Sequence, residues 1–296
     1  MFSYQLHDLL AHISTQLHTL YKNNLLCHQY AWWILEYILK KKQAQLITYK
    51  TVILNNEQQK LLDEWLHKLV DNAMPLQYLL GSVPFDDVDI LVQSPVLIPR
   101  PETEEWVADL IEKLVLCKTT DLTILDLACG SGCIALALAH HLPHATLYAT
   151  DISPHAIALT EKNKQHNAIQ NVTVLQSDLF SAIDPHIRFD LIVSNPPYIS
   201  PEQWNSVEKS VTVWEDEHAL VAQDHGMAII KKIISQAPNR LKPHQHLLKV
   251  GIDQLYIEID YTQGPAAQEC MQKAGYLTIT LHKDLEGKNR VISGTM

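Results

Sequence analysis

Cysteine is scarce in this 296-residue chain and badly spaced for chemistry. Cys27, Cys117, Cys129, Cys133 and Cys270 form no Cys-x-x-Cys pair and are odd in number. That favours a reducing compartment, the cytoplasm, over a disulfide framework. A His-Glu-x-x-His motif is missing, and the sixteen histidines, His244 and His246 among them, offer no metal-ligand spacing. Long apolar runs are absent too, since charge breaks each stretch well short of a bilayer span. The start, Met1-Phe2-Ser3-Tyr4-Gln5, has neither the basic nor the apolar region of a secretory signal. Positive charge is also lacking. At a formal net charge of −10 the chain has no basic total for gripping nucleic-acid phosphates, so direct DNA binding is not expected. The one basic run, Lys40-Lys41-Lys42, reads as the solvated end of a helix, where cations are favoured.

What remains is an ordinary globular composition, 47% hydrophobic and 19% charged, in a chain long enough for two domains. Residues 1–80 read as a small helical domain. Leu6, Leu9, Leu10, Ile13, Leu17 and Leu20 form one stripe at three- and four-residue spacing. Leu61, Leu62, Trp65, Leu66, Leu69 and Val70 form another, and Tyr30 to Leu39 is apolar almost all round. Nothing here has catalytic spacing, so the domain packs or recognises a partner. Residues 81–98 alternate loosely around Asp86-Asp87 and predict a β-hairpin linker. From 99 to 296 apolar runs alternate with helical ones, the pattern of an α/β sheet. Strands are expected at Thr123–Leu127, Thr146–Thr150, Val172–Gln176, Asp190–Ser194, Leu255–Ile259, Tyr276–Leu281 and Arg290–Ser293. The last two leave no room for a helix between them and should pair antiparallel through Glu286-Gly287.

The chemistry gathers at strand ends. Asp126-Leu127-Ala128-Cys129-Gly130-Ser131-Gly132 closes the first strand and opens a helix, where small residues let the backbone turn tightly against a ligand. Ala135 stands where the dinucleotide pattern needs a third glycine. The second strand runs into Asp151, a carboxylate able to accept both hydroxyls of a ribose, and the third into Asp178-Leu179, where an acid can meet an adenine amino group. An inert sheet also carries polar residues at strand ends, but four in succession favour a ligand. The fourth end is Asn195-Pro196-Pro197-Tyr198. Each proline restricts the residue before it, so the Asn195 side chain and the Pro196 carbonyl are held as free acceptors. Upstream, Pro99-Arg100-Pro101-Glu102-Thr103-Glu104 starts a helix well. Arg100 and Glu104 either serve that start or stand at a substrate entrance. Cys129 and Cys133 read as small buried residues.

This arrangement resembles the class I S-adenosylmethionine-dependent methyltransferases that act on planar nitrogens. The fuller similarity is to the peptide chain release factor N5-glutamine methyltransferases (PrmC/HemK). It is carried by Pro75–Gly81, Leu97–Glu104, Leu125–Gly132, Ser194–Ile199, Ala219–Val221 with Asp224–Met227, and Lys283–Gly287 with Arg290. The resemblance implies a Rossmann-like seven-stranded sheet behind a small N-terminal helical domain joined by the β-hairpin. It implies S-adenosylmethionine as cofactor, held by Ala128, Cys129, Gly130, Ser131 and Gly132 at its methionine part, by Asp151 at the ribose and by Asp178 and Leu179 at the adenine. Asn195, Pro196, Pro197 and Tyr198 would hold the glutamine of a release factor, Asn195 bordering the cofactor as well. Ala128-Cys129 stands where Gly-Thr is common in the family. A ribosomal-protein glutamine methyltransferase, a DNA adenine N6-methyltransferase and a non-catalytic binding module are the alternatives.

Overall fold

Two compact units divide the chain: Met1–Gly81 with Glu208–Trp214, and Ser82–Val207 with Glu215–Met296. The computed structural model describes residues 1–117, 121–243, 247 and 251–296, so His244 and His246 lie outside the described residues.

In the first unit the apolar stripes become helices packed on one core. β1 (Phe2–Gln5) leads into α1 (Leu6–Tyr21), which buries Leu6, Leu9, Leu10, Ile13 and Leu17. α2 (Asn24–Leu39) is capped by Asn23, whose side chain accepts from Leu26 N, and buries residues on most of its circumference. After the short α3 (Gln43–Leu46) comes β2 (Thr51–Leu54), then α4 (Asn56–Val70) with Leu62, Trp65, Leu66 and Leu69 inside, and α5 (Leu76–Leu80). A capping box at Asn55 and Gln58 satisfies the free N–H groups at the start of α4. The all-helical expectation misses one feature. β1 and β2 pair antiparallel from Phe2↔Leu54 to Gln5↔Thr51, a ladder too short to show a period in the sequence. Lys40 and Lys41 do end a helix, and their ammonium groups sit over the rings of Tyr37 and Tyr49 at 3.8 and 4.5 Å.

The second unit opens on the hairpin β3 (Ser82–Phe85) and β4 (Val88–Leu91), turning at Asp86-Asp87. This hairpin belongs to the second unit itself. Leu91 N and Asp89 N donate to the side chains of Asn163 and Asn167, at the foot of a helix further along the chain. Then follow α6 (Pro101–Leu116), β5 (Thr123–Leu127), α7 (Cys133–His141), β6 (Thr146–Asp151), α8 (Pro154–His166), β7 (Val172–Gln176) and β8 (Leu191–Ser194). The chain continues through α9 (Pro201–Trp204), α10 (Lys209–Thr212, in the first unit), α11 (Ala228–Gln236), β9 (Leu255–Glu258), α12 (Gly264–Ala274), β10 (Thr278–Lys283) and β11 (Asn289–Thr295).

Seven strands form one sheet in the order β10-β11-β9-β8-β5-β6-β7. β5 to β9 run parallel to one another, while β11 lies antiparallel to both β9 and β10. Their interior strands read apolar because both faces are covered; β8 and β9 are buried at every residue. Chain order reverses at β5, which has β6 on one side and β8 on the other. Ligands of open α/β sheets bind outside the carboxyl ends at such a reversal.

Candidate active site

Five strand ends converge on that edge. The loop after β5 is shaped by three positive φ angles, at Ala128 (+57°), Gly130 (+57°) and Gly132 (+83°). Gly132 cannot carry a side chain, since a Cβ there would lie 2.7 Å from Thr160 Cγ2 on α8. Beside Gly130 a Cβ would meet nothing within 4 Å, so the concave side of the loop is open. α8 braces the turn: Thr160 Oγ1 donates to Gly130 O at 3.0 Å and Asn163 Nδ2 to Ser131 O at 2.9 Å. Asp151, at the end of β6, accepts from Gly130 N on Oδ2 (2.9 Å) and from Ser153 N on Oδ1 (2.8 Å). Each oxygen keeps a lone pair for a ligand hydroxyl. Burial lifts this carboxyl from its ordinary value and Asp216 adds to the lift, against the backbone N–H groups of Ser153, Gly130 and Ile152.

Behind the loop Asp126 is almost wholly buried, and burial raises its carboxyl well above the ordinary value. Its Oδ2 accepts from Ala135 N at 3.1 Å, while Oδ1 has no hydrogen-bond partner among the described residues. A buried carboxyl oxygen left unpartnered behind an open, glycine-lined turn fits a site for a nucleoside-bearing ligand such as S-adenosylmethionine. Cys129 and Cys133 are free and buried. Burial raises both thiols, that of Cys133 to about 12, so neither is a nucleophile at neutral pH. Asp178 is exposed at the end of β7, next to Leu179 at φ +48°.

Beyond β8 the chain enters Asn195-Pro196-Pro197-Tyr198, fastened on three sides. Asn195 Nδ2 donates to Thr103 Oγ1 at 3.1 Å. The Tyr198 hydroxyl donates to Glu258 Oε1 at 3.3 Å, and the Tyr198 carbonyl accepts from Gln263 Nε2 at 2.8 Å. Gly226, at φ +81°, passes so close that a Cβ would stand 2.0 Å from the same carbonyl oxygen. Glu258 ends β9 and is 1% exposed. Its Oε2 also accepts from Thr103 Oγ1 (2.7 Å) and Trp106 Nε1 (2.9 Å). Burial raises its carboxyl, against those donors and the charge of Arg290. Arg290 itself is forked onto Asp284 Oδ2 at 3.0 and 3.3 Å.

Arg100 and Glu104 are both occupied. Arg100 Nη2 pairs with both oxygens of the buried Glu215, at 2.8 and 2.6 Å, and keeps about a third of its side chain exposed. Glu104 Oε1 accepts from Asp86 N at 2.8 Å and so anchors the β3–β4 turn. His141 Nε2 lies 2.5 Å from Asp86 and 3.5 Å from Asp87, a grouping that sequence spacing did not foretell. Thr103, Glu258 and Gln263 were also missed as site residues. For Glu258 a signal existed: one acid in the otherwise apolar run Leu255-Tyr256-Ile257-Glu258-Ile259, where an unpaired charge is costly.

Comparison with known proteins supplies the family. Residues 109–214 match the Methyltransferase small domain family and residues 8–81 the PrmC N-terminal domain family. The release factor glutamine methyltransferase of Flavobacterium psychrophilum is 34% identical, covering 86% of this chain and 82% of its own. That of Lactococcus lactis subsp. lactis is 37% identical over 90% and 92% of the two chains. Among solved structures, the 16S rRNA N2 G1207 methyltransferase of T. Thermophilus, in complex with AdoMet and guanosine, shares the fold. It aligns with a TM-score of 0.50 and 16% identity over 73% of this chain and 50% of that one. By fold, by both of its domains and by relatedness along most of its length, this chain belongs to the release factor glutamine methyltransferase family.

Proposed function

We propose that this protein methylates the side-chain amide nitrogen, N5, of the glutamine in the Gly-Gly-Gln motif of peptide chain release factors, using S-adenosylmethionine. One observation carries the reading. Leu127 pairs with Ser194, so the Ala128–Gly132 loop and the Asn195–Tyr198 loop leave the sheet side by side. When bound, S-adenosylmethionine supplies a methyl group made electrophilic by the positive sulfonium sulfur. Ala128 to Gly132 hold its methionine part, Asp151 its ribose, and Asp178 with Leu179 its adenine; Asn195 borders both ligands.

A glutamine amide nitrogen is a poor nucleophile because its lone pair is shared with the carbonyl. Asn195 Oδ1 and the Pro196 carbonyl accept its two N–H protons, which orients the nitrogen and stabilises the positive charge that develops on it. Tyr198 packs on the flat amide. Such positioning contributes roughly 7–11 kcal/mol to lowering the barrier. The proton leaves after transfer, so a loop without histidine or lysine suffices. Arg100, partly exposed on Glu215, remains available to a substrate peptide, and Glu104 shapes the entrance through the hairpin it anchors. Among the described residues no helix is long and apolar enough to cross a membrane. The free cysteines fit the reducing cytoplasm, where we place the reaction.

The test is transfer of a labelled methyl group to a release factor bearing Gly-Gly-Gln, to the same factor with that glutamine replaced by alanine, to ribosomal protein and to duplex DNA. Label should enter the first alone. Preferential labelling of ribosomal protein or of DNA would overturn the proposal in favour of the other two methyltransferase readings.

A further inference from the structure

We infer that Thr103 and Glu258 are positioning residues that fix which end of the Asn195 amide faces the substrate; this rests on the methyl-transfer reading above. The hydrogen bonds run in one direction only. Trp106 Nε1 can only donate, and it donates to Glu258 Oε2. Three donors on its two oxygens and the charge of Arg290 favour Glu258 as the carboxylate against its burial, and a carboxylate only accepts, so Thr103 gives its single hydroxyl proton to Oε2, 2.7 Å away. Thr103 Oγ1 is then left with acceptor capacity alone. The Asn195 group 3.1 Å from it must be the NH₂ end, which turns Oδ1 the other way.

An amide without that partner has two nearly equivalent orientations. The wrong one would aim N–H donors at the N–H protons of a glutamine and remove the acceptor that methyl transfer needs. Thr103 and Glu258 are 2% and 1% exposed, so water has little access to substitute for either. The same carboxylate takes the Tyr198 hydroxyl on its other oxygen. One buried acid at the end of β9 therefore sets both ends of the Asn195–Tyr198 loop, from a position outside it.

The experiment compares Thr103→Val, which keeps the shape and removes the hydroxyl, with Thr103→Ser, which keeps the hydroxyl. In T103V the kcat for a Gly-Gly-Gln release factor should fall about 10- to 100-fold, while KM and cofactor affinity stay within about threefold. T103S should keep kcat within about threefold. NMR gives a readout free of substrate: an Asn195 Nδ2 proton, assigned by its loss in N195A, should exchange slowly in the parent and in T103S, and fast in T103V. The inference is overturned if T103V turns over like the parent or T103S is as impaired as T103V. It also fails if the Asn195 protons exchange alike in the parent and T103V. A parent that leaves release factor unlabelled but shows the protected proton would refute the substrate reading and uphold the orientation.

Discussion

Replacing Asn195 by alanine removes one of the two acceptors and leaves only the Pro196 carbonyl for the substrate amide. N195A should lower turnover about 10²- to 10³-fold, the scale for losing one preorganised polar group, and leave cofactor binding near normal by calorimetry. Asp151 makes a pH-dependent prediction. Its carboxyl titrates above its ordinary value because it is buried, and the ionised form, with acceptors on both oxygens and a negative charge, holds two ribose hydroxyls more strongly than the protonated form. Cofactor affinity should therefore hold at neutral pH and weaken as pH falls through that raised value, by up to about tenfold per unit. In D151N affinity should be low throughout, with this slope gone; an unchanged slope would move the titration to another group. Both residues were legible in the sequence because each ends an apolar strand, which fixes its place on the sheet edge. Glu258 was not. Its partners Thr103, Trp106 and Tyr198 lie 155, 152 and 60 residues away, and only the folded sheet brings them to it.

Among the elements, two turns differ in what a single added methyl group would meet. Gly226→Ala forces a Cβ against the Tyr198 carbonyl at a left-handed φ, so denaturant unfolding should show a loss of at least about 2 kcal/mol, with turnover falling alongside. Gly130→Ala meets open space and should cost only about 1 kcal/mol of backbone strain. Its larger effect should appear in cofactor affinity, since the added methyl occupies the side left for the ligand. Equal affinity in G130A and the parent would place the cofactor elsewhere. The interior strands were readable from their apolar runs, because strands covered on both faces carry little else, and the edge strands β7 and β10 from shorter runs with exposed positions between. The β1–β2 ladder escaped notice: four-residue strands separated by 45 residues give pattern reading almost nothing to detect.

For the whole molecule, charge separates the readings of function. A net charge of −10 and a pI near 5.8 predict no appreciable binding to duplex DNA at about 0.15 M salt, checked by fluorescence anisotropy. Tight, salt-sensitive binding would reopen the DNA methylation reading. The boundary near residue 80 was visible as a change from helical to alternating pattern. Glu208–Trp214 was not visible as part of the first unit, because its membership depends on contacts such as Trp214 Nε1 donating to Asn72 O at 2.9 Å. That short segment has a practical consequence. The chain passes between its units three times, at 81/82, 207/208 and 214/215, so no single cut separates them cleanly. A polypeptide starting at Ser82 would carry away seven residues of its neighbour's fold and lose the hydrogen bond from Trp214 Nε1 to Asn72 O. If only Gly81–Ser82 is cleaved, the seven residues stay with the larger fragment, and the smaller one keeps a native binding surface for them.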